Sequence, residues 1–179
     1  AVKEVPLKPI EESEYLLMDH YYPKSAKKAA EIAHNVGTTV VADIERLKTG
    51  VSELISLTDI LIIPEVFAKK YGKDDDIEVI SEGLIQEGPE AVIITRGEKG
   101  YFGIYDGKRF DGEIFEVEVE DTTGAGDVFH GGFIVGLLQG WGYEKSAEFA
   151  SAVSAKVCTR MGGREGIPDF NETIDFLSE

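Results

Sequence analysis

The sequence predicts an α/β protein with a mostly parallel central sheet and antiparallel strands at one edge. Three observations predict it. Short apolar runs alternate with amphipathic stretches, the rhythm of parallel strand–helix units. After residue 95 the pattern changes to short strands flanking a DGK turn. Near residue 121 a glycine-rich run, DTTGAGDVFHGGF (121–133), opens an apolar helix.

In order along the chain, YLLMD, beginning at Tyr15, reads as a short buried strand. PKSAKKAAEIAHNVG follows, with Ala26, Ala29, Ala30 and Ala33 on one helical face and Gly37 as the stop. TTVVAD (38–43) is β-branched and strand-like, and ERLKTGVSELISLT reads as helical around Val51, Leu54 and Ile55. DILII (59–63) is a continuous apolar strand. PEVFAKKYG then begins a helix with Pro64 in its first turn. Asp74 or Asp75 is expected to cap the next helix, whose stripe is Ile77, Ile80, Ser81 and Leu84. AVIIT (91–95) is a further buried strand, and YFGIY and FDGEIFEVEVE read as antiparallel edge strands. Two closing helices follow, the glycine-rich one and SAEFASAVSAKVCTRMGG, with Ala150, Val153, Ser154 and Val157 on one face. No linker, repeat or low-complexity tract interrupts residues 1–179, so a single α/β domain is expected.

Composition narrows the function. With 18 Lys and Arg against 34 Asp and Glu, the net charge of −16 repels nucleic acid and anionic membrane surfaces. Cys158 is the single cysteine, which rules out an intrachain disulfide and a cysteine-built zinc site and fits a cytoplasmic protein. No apolar run approaches the length of a membrane span. The chain starts at Ala1 without a methionine, so an upstream start or processing is expected.

The glycine-rich run holds two kinds of glycine. Gly131, Gly132 and Gly136 lie inside a helix, where together they cost about 3 kcal/mol relative to alanine. A small-residue face that lets this helix press against the sheet would offset that cost. Gly124, Ala125 and Gly126 instead precede the helix, where unobstructed N–H groups and the positive end of the dipole make an anion site suited to a phosphoryl group. Asp127 sits in the first turn. Its carboxylate either simply favours the helix N-terminus or serves as a base toward a substrate hydroxyl while the N–H groups hold the phosphoryl. The run is neither a Walker loop nor a G-x-G-x-x-G opening from a first strand. TRGEKG (95–100) leaves the strand AVIIT at its carboxyl end, where α/β sheets bind ligands; it reads as a nucleotide turn or as a plain hairpin turn.

DTTGAGDVFHGGF resembles the C-terminal signature of the ribokinase-like (PfkB) carbohydrate kinases. The resemblance extends through LLMDHYYPKSAKKAAEIAHNVGTTVVAD, TRGEKG and CTRMGGREGIPDFNETIDFL, and implies a ribokinase-like three-layer α/β/α fold. It implies ATP-dependent phosphorylation of a sugar hydroxyl in the cytoplasm, with ATP and Mg2+ as cofactors. Asp127 matches the catalytic base, and Gly124, Ala125 and Gly126 match the anion hole. Thr95, Gly97 and Gly100 match the wall of the ATP site, and Arg96 and Lys99 either meet its phosphates or are ordinary turn residues. Asp121 and Thr123 match positions that help hold a monovalent cation, K+, in several relatives.

Two departures from the family pattern stand out. DILIIPEVFAKKY carries no Asn-x-x-Glu at the place of the family's magnesium motif, although Glu65 is near. Nor does a substrate-binding and lid segment lie ahead of YLLMD, so the chain is expected to be the C-terminal nucleotide-binding portion of a kinase. The acceptor class stays open between a sugar and a nucleoside, and a truncated, non-catalytic nucleotide-binding module is the alternative. Absence of the lid also implies a homo-oligomer through exposed apolar surface.

Among the remaining residues, His130 is expected to face solvent or to pack beside Phe129. Asp43, ending TTVVAD, is either a substrate-side aspartate or an ordinary sheet-end residue. His20 and His34 have no metal-ligand spacing with His130.

Overall fold

A computed structural model describes residues 5–178; Ala1, on which the expected chain start turns, lies outside them. A short helix, α1 (Leu7–Glu11), precedes the first strand. The alternation then unfolds as β1 (Tyr15–Asp19), α2 (Pro23–Val36), β2 (Thr39–Asp43), α3 (Val51–Ile55), β3 (Ile60–Pro64), α4 (Glu65–Gly72), α5 (Ile77–Ile85) and β4 (Ala91–Thr95). The pairs β1–β2, β2–β3 and β3–β4 are parallel, with Val41 opposite Ile60 and Ile60 opposite Ala91.

A single turn of 3-10 helix (Gly97–Lys99) separates β4 from β5 (Tyr101–Tyr105), far too short a connection for a parallel crossover. Asp106 and Gly107, both at positive φ, form the two-residue hairpin into β6 (Lys108–Gly112). The sheet order is β1-β2-β3-β4-β5-β6, parallel through β4 and antiparallel at the far edge. Three helices close the chain: α6 (Ala125–Leu138), α7 (Tyr143–Val157) and α8 (Phe170–Leu177).

The chain forms two compact units. One holds the described residues up to Arg96 together with Phe102–Arg109; the other holds Gly97–Tyr101 and the described residues from Phe110 onward. In the first unit β2, β3 and β4 are continuous apolar runs, buried throughout their apolar residues; Leu54, Phe67 and Leu84 pack with the face that carries Ala42, Leu61, Ile63 and Ile94. Each such buried aliphatic or aromatic side chain contributes about 1.5–3 kcal/mol. In the second unit Val128 of α6 packs with Phe149, Val153 and Val157 of α7, and Phe149 meets Trp141 edge-on at 5.5 Å and the tilted ring of Phe170 at 5.4 Å.

Several expectations change in the structure. YLLMD is a strand, but only Met18 is buried in it, because β1 lies at the sheet edge; Leu17 is 45% exposed. Pro64 ends β3 and precedes α4 rather than sitting in its first turn. Asp76, not Asp74 or Asp75, caps α5, accepting from the N–H groups of Glu78 and Val79, while Asp74 accepts from the Asp76 N–H. The alternating run after Gly112 is irregular rather than a strand over 113–119. Alternation alone supplies no ladder partner, and Phe115 instead packs at a tilt against Phe176 of α8, 5.4 Å between ring centroids.

Candidate active site

The approach to α6 is anchored before the helix begins. The N–H groups of Glu120 and Asp121 both donate to the carbonyl of Cys158, at the end of α7. The Asp121 carboxylate then accepts three bonds: Oδ1 from the Thr123 N–H at 2.9 Å and the Thr123 hydroxyl at 2.7 Å, and Oδ2 from the Gly162 N–H at 2.8 Å. These donors, the Thr123 N–H foremost, hold the Asp121 carboxyl below the usual aspartate range. Burial and the neighbouring Asp121 charge push the Cys158 thiol up. Asp121 thereby ties the junction to the loop after α7.

That loop explains the first glycine. Gly124 is in the left-handed region at φ +80°, and a Cβ there would meet Gly163 Cα at 2.9 Å. Two constraints thus require glycine at one position, a positive φ and a close backbone approach. Gly126 differs, because a Cβ built on it meets nothing within 4 Å. Space lies open above the first turn.

The N–H groups here are unevenly employed. Ala125 donates to the Thr122 carbonyl at 3.2 Å. Among the described residues, the N–H groups of Gly124, Gly126 and Asp127 have no acceptor, and no side chain caps the helix. Three open donors at the positive end of a fourteen-residue helix, beside the exposed carboxylate of Asp127, can bind an anion and face a hydroxyl donor together.

Inside α6 the glycines divide. A Cβ on Gly132 would meet Ala150 Cα at 3.0 Å, and one on Gly136 would meet Ser146 Cα at 2.8 Å. These two let α6 and α7 approach closely, so the close packing they serve is against α7. Gly131 is exposed with open space at its Cβ position and takes no part in it. His130 is buried rather than solvent-facing, its Nδ1 bonded to the Gly126 carbonyl at 2.8 Å. A carbonyl only accepts, so Nδ1 carries the proton.

In the 95–100 turn, Thr95 ends β4 opposite Pro64 and, like Arg96, is half-buried. Gly97 and Gly100 have φ of +58° and +76°. A Cβ on Gly100 would overlap the Gly112 carbonyl and lie 2.9 Å from Glu113 Cα, so strand packing alone requires glycine there. Gly97 and Gly100 belong to the same compact unit as Gly124, Gly126 and Asp127, whereas Thr95 and Arg96 belong to the other. Next to Gly100, Tyr101 packs on Phe129 of α6 at 6.0 Å; burial and then the charges of Glu148, Asp111 and Glu144 push its hydroxyl up to about 12.

Asp43 ends β2 opposite Asp19. Among the described residues no group of three or more His, Cys, Asp or Glu is placed to hold a metal ion, and no helix is long and apolar enough to cross a membrane. Sequence reasoning missed Gly162, Gly163, Ser154 and the Cys158 carbonyl. All four act through contacts distant in sequence, which no local pattern announces.

The fold and this junction define a class: an α/β protein with open N–H groups at a helix start and a carboxylate in its first turn. The chain belongs to the pfkB family of carbohydrate kinases, whose sequence profile matches residues 3–169. It is 34% identical over 174 residues to the ribokinase of Haemophilus influenzae, covering 94% of this chain and 57% of that protein. The crystal structure of ribokinase from Thermotoga maritima superposes with a TM-score of 0.87 at 26% identity, covering all of this chain and 61% of that one. A putative ribokinase II from E. coli, solved in complex with ATP and Mg2+, gives 0.88 at 24% identity, covering 97% and 61%. The ribokinase-like three-layer fold implied by the sequence is therefore the fold of this chain. The chain spans about three fifths of the length of these relatives.

Proposed function

We propose that this chain carries the phosphoryl-binding and proton-accepting part of an ATP-dependent carbohydrate kinase of the cytoplasm. The observation that carries the reading is the set of open N–H groups of Gly124, Gly126 and Asp127 next to the Asp127 carboxylate. The sugar hydroxyl oxygen attacks the γ-phosphorus, the bond to the β-phosphate oxygen breaks, and ADP leaves. The hydroxyl proton passes to Asp127. The open N–H groups meet the charge on the transferred phosphoryl, and the backbone from Gly124 through Ala125 to Gly126 shapes that hole. Gly97 and Gly100, in the same compact unit as this junction, line the nucleotide. Family membership and the ribokinase relative support a sugar as acceptor.

Magnesium fits as a companion of the nucleotide. No acidic cluster is placed to cage it among the described residues, so the nucleotide phosphates would hold it and it would offset their charge. Asp121 and Thr123 are the proposed neighbours of a K+ ion, since a carboxylate that accepts three protein donors keeps acceptor capacity for a cation. Self-association through β1, the outermost strand among the described residues, belongs to the same reading.

The test is ADP release from Mg2+-ATP across a panel of sugars and nucleosides, comparing this chain with Asp127→Asn. Sugar-dependent release that falls about 10²- to 10⁴-fold in the variant is the expected result. Nucleotide binding without release from either protein would instead support a non-catalytic nucleotide-binding module.

A further inference from the structure

We propose that Ser154 and His130 are positioning residues that polarise the phosphoryl-binding N–H groups; the inference rests on the phosphoryl-transfer reading above. The geometry singles out two peptide groups. The Ser154 hydroxyl, on α7, donates to the Ala125 carbonyl at 2.9 Å. The Ala125 carbonyl and the Gly126 N–H are two ends of one peptide. His130 Nδ1, one turn along α6, donates to the Gly126 carbonyl at 2.8 Å. That carbonyl shares its peptide with the Asp127 N–H. Each side chain therefore sits behind one of the open donors.

The pattern is selective. The Gly124 carbonyl shares its peptide with the Ala125 N–H, which is already spent on Thr122. Among the described residues no side chain donates to that carbonyl; it accepts from the Val128 N–H at 2.9 Å. The carbonyls of Ala125 and Gly126 belong to the first turn of α6 and are satisfied by helical bonding, so a second donor is not needed to avoid an orphan group. A bond at the carbonyl draws electron density through the peptide and makes its N–H a stronger donor, by roughly 10–30% per bond. His130 is buried and Ser154 half-buried, so water competes little for either bond. Both bonds also fix the planes of these peptides, and with them the direction of the N–H groups.

The experiment uses the full chain, with Ser154→Ala, His130→Phe, the double variant and the conservative Ser154→Thr. Amide proton shifts are read without nucleotide. Ser154→Ala should move the Gly126 amide upfield and leave Asp127, and His130→Phe should do the converse. Calorimetric titration with Mg2+ and the β,γ-imido analogue of ATP should weaken about threefold for each single variant and about tenfold for the double. Affinity for ADP should hold, and Ser154→Thr should recover the wild-type value. Unchanged amide shifts and unchanged analogue affinity would overturn the positioning role while leaving the nucleotide reading intact. Equal losses for analogue and ADP, with shifts spread along α6 and α7, would show a packing role and overturn it too. A wild-type chain that binds neither the analogue nor tripolyphosphate would sink the phosphoryl reading, and this inference with it.

Discussion

Asp121 directs its acceptor capacity at the protein, two bonds to Thr123 and one to Gly162, and the segment entering α6 depends on them. Its carboxyl is held below the ordinary value near 3.8, so folding favours the charged form. The stability this adds is fully present above that ordinary value and is lost as pH falls through the lowered folded value. Asp121→Asn removes the charge and cannot accept all three bonds. The urea midpoint of the variant should lie below wild type by a constant gap above about pH 5, and the gap should narrow below 3.8. A gap independent of pH from 3 to 7 would mean that these bonds do not depend on the charge. Gly124, held at positive φ against Gly163, has no such chemical handle; its role is steric.

At the scale of elements, α6 shows how helix glycines with one sequence signature divide in three dimensions. Gly136 opposes the Ser146 backbone at a distance no Cβ tolerates, and Gly131 opposes nothing. Gly131→Ala should stabilise the fold by about 1 kcal/mol through helix propensity alone. Gly136→Ala should destabilise it by about 1–3 kcal/mol, because α7 must move. Thermal or urea unfolding of the two variants checks the opposite signs; equal effects would remove α7 as the reason for Gly136. The sequence pattern located both glycines on a helix and could not tell them apart, since what distinguishes them is a neighbour ten or more residues away. The same limit explains the other misses. The run after Gly112 alternates like a strand, but a strand also needs a ladder partner, and alternation does not provide one. Asp74, Asp75 and Asp76 are equivalent in composition, and only the local turn, with Asp74 accepting from Asp76, selects the third as cap. Where a local pattern suffices, sequence and structure agree: Gly37 ends α2 at φ +83°, with Ala30 and Ala33 fully buried. The DTTGAGD run was legible for the same reason, since a helix start and its glycines are local. The Ser154 and Gly162 contacts that brace it were not.

At the scale of the molecule, two surface properties oppose each other. A net charge of −16 drives copies apart through a repulsion that salt screens, with a Debye length falling from about 10 Å at 0.1 M to about 3 Å at 1 M. Among the described residues β1, by contrast, is the outermost strand of the parallel sheet and carries Leu17 at 45% exposure. An edge strand of that kind is a template for pairing with another strand unless a charge blocks it, and β1 has its single charge at its last residue, Asp19. Edge pairing between copies therefore has a backbone driving force, opposed by an electrostatic term that weakens in salt. The weight-average mass in sedimentation should rise with protein concentration, and rise further at high salt. Leu17→Lys places a charge in the middle of the edge and reduces the apolar area a partner would cover, so it should return the chain to a monomer under the same conditions. Arg46, which pairs with Glu45 beyond the end of β2, provides the control, since Arg46→Lys keeps the charge away from the edge and should associate as wild type does. Association that proceeds equally in Leu17→Lys would locate the contact elsewhere, and a wild-type monomer at every salt concentration would show that repulsion prevails over edge pairing.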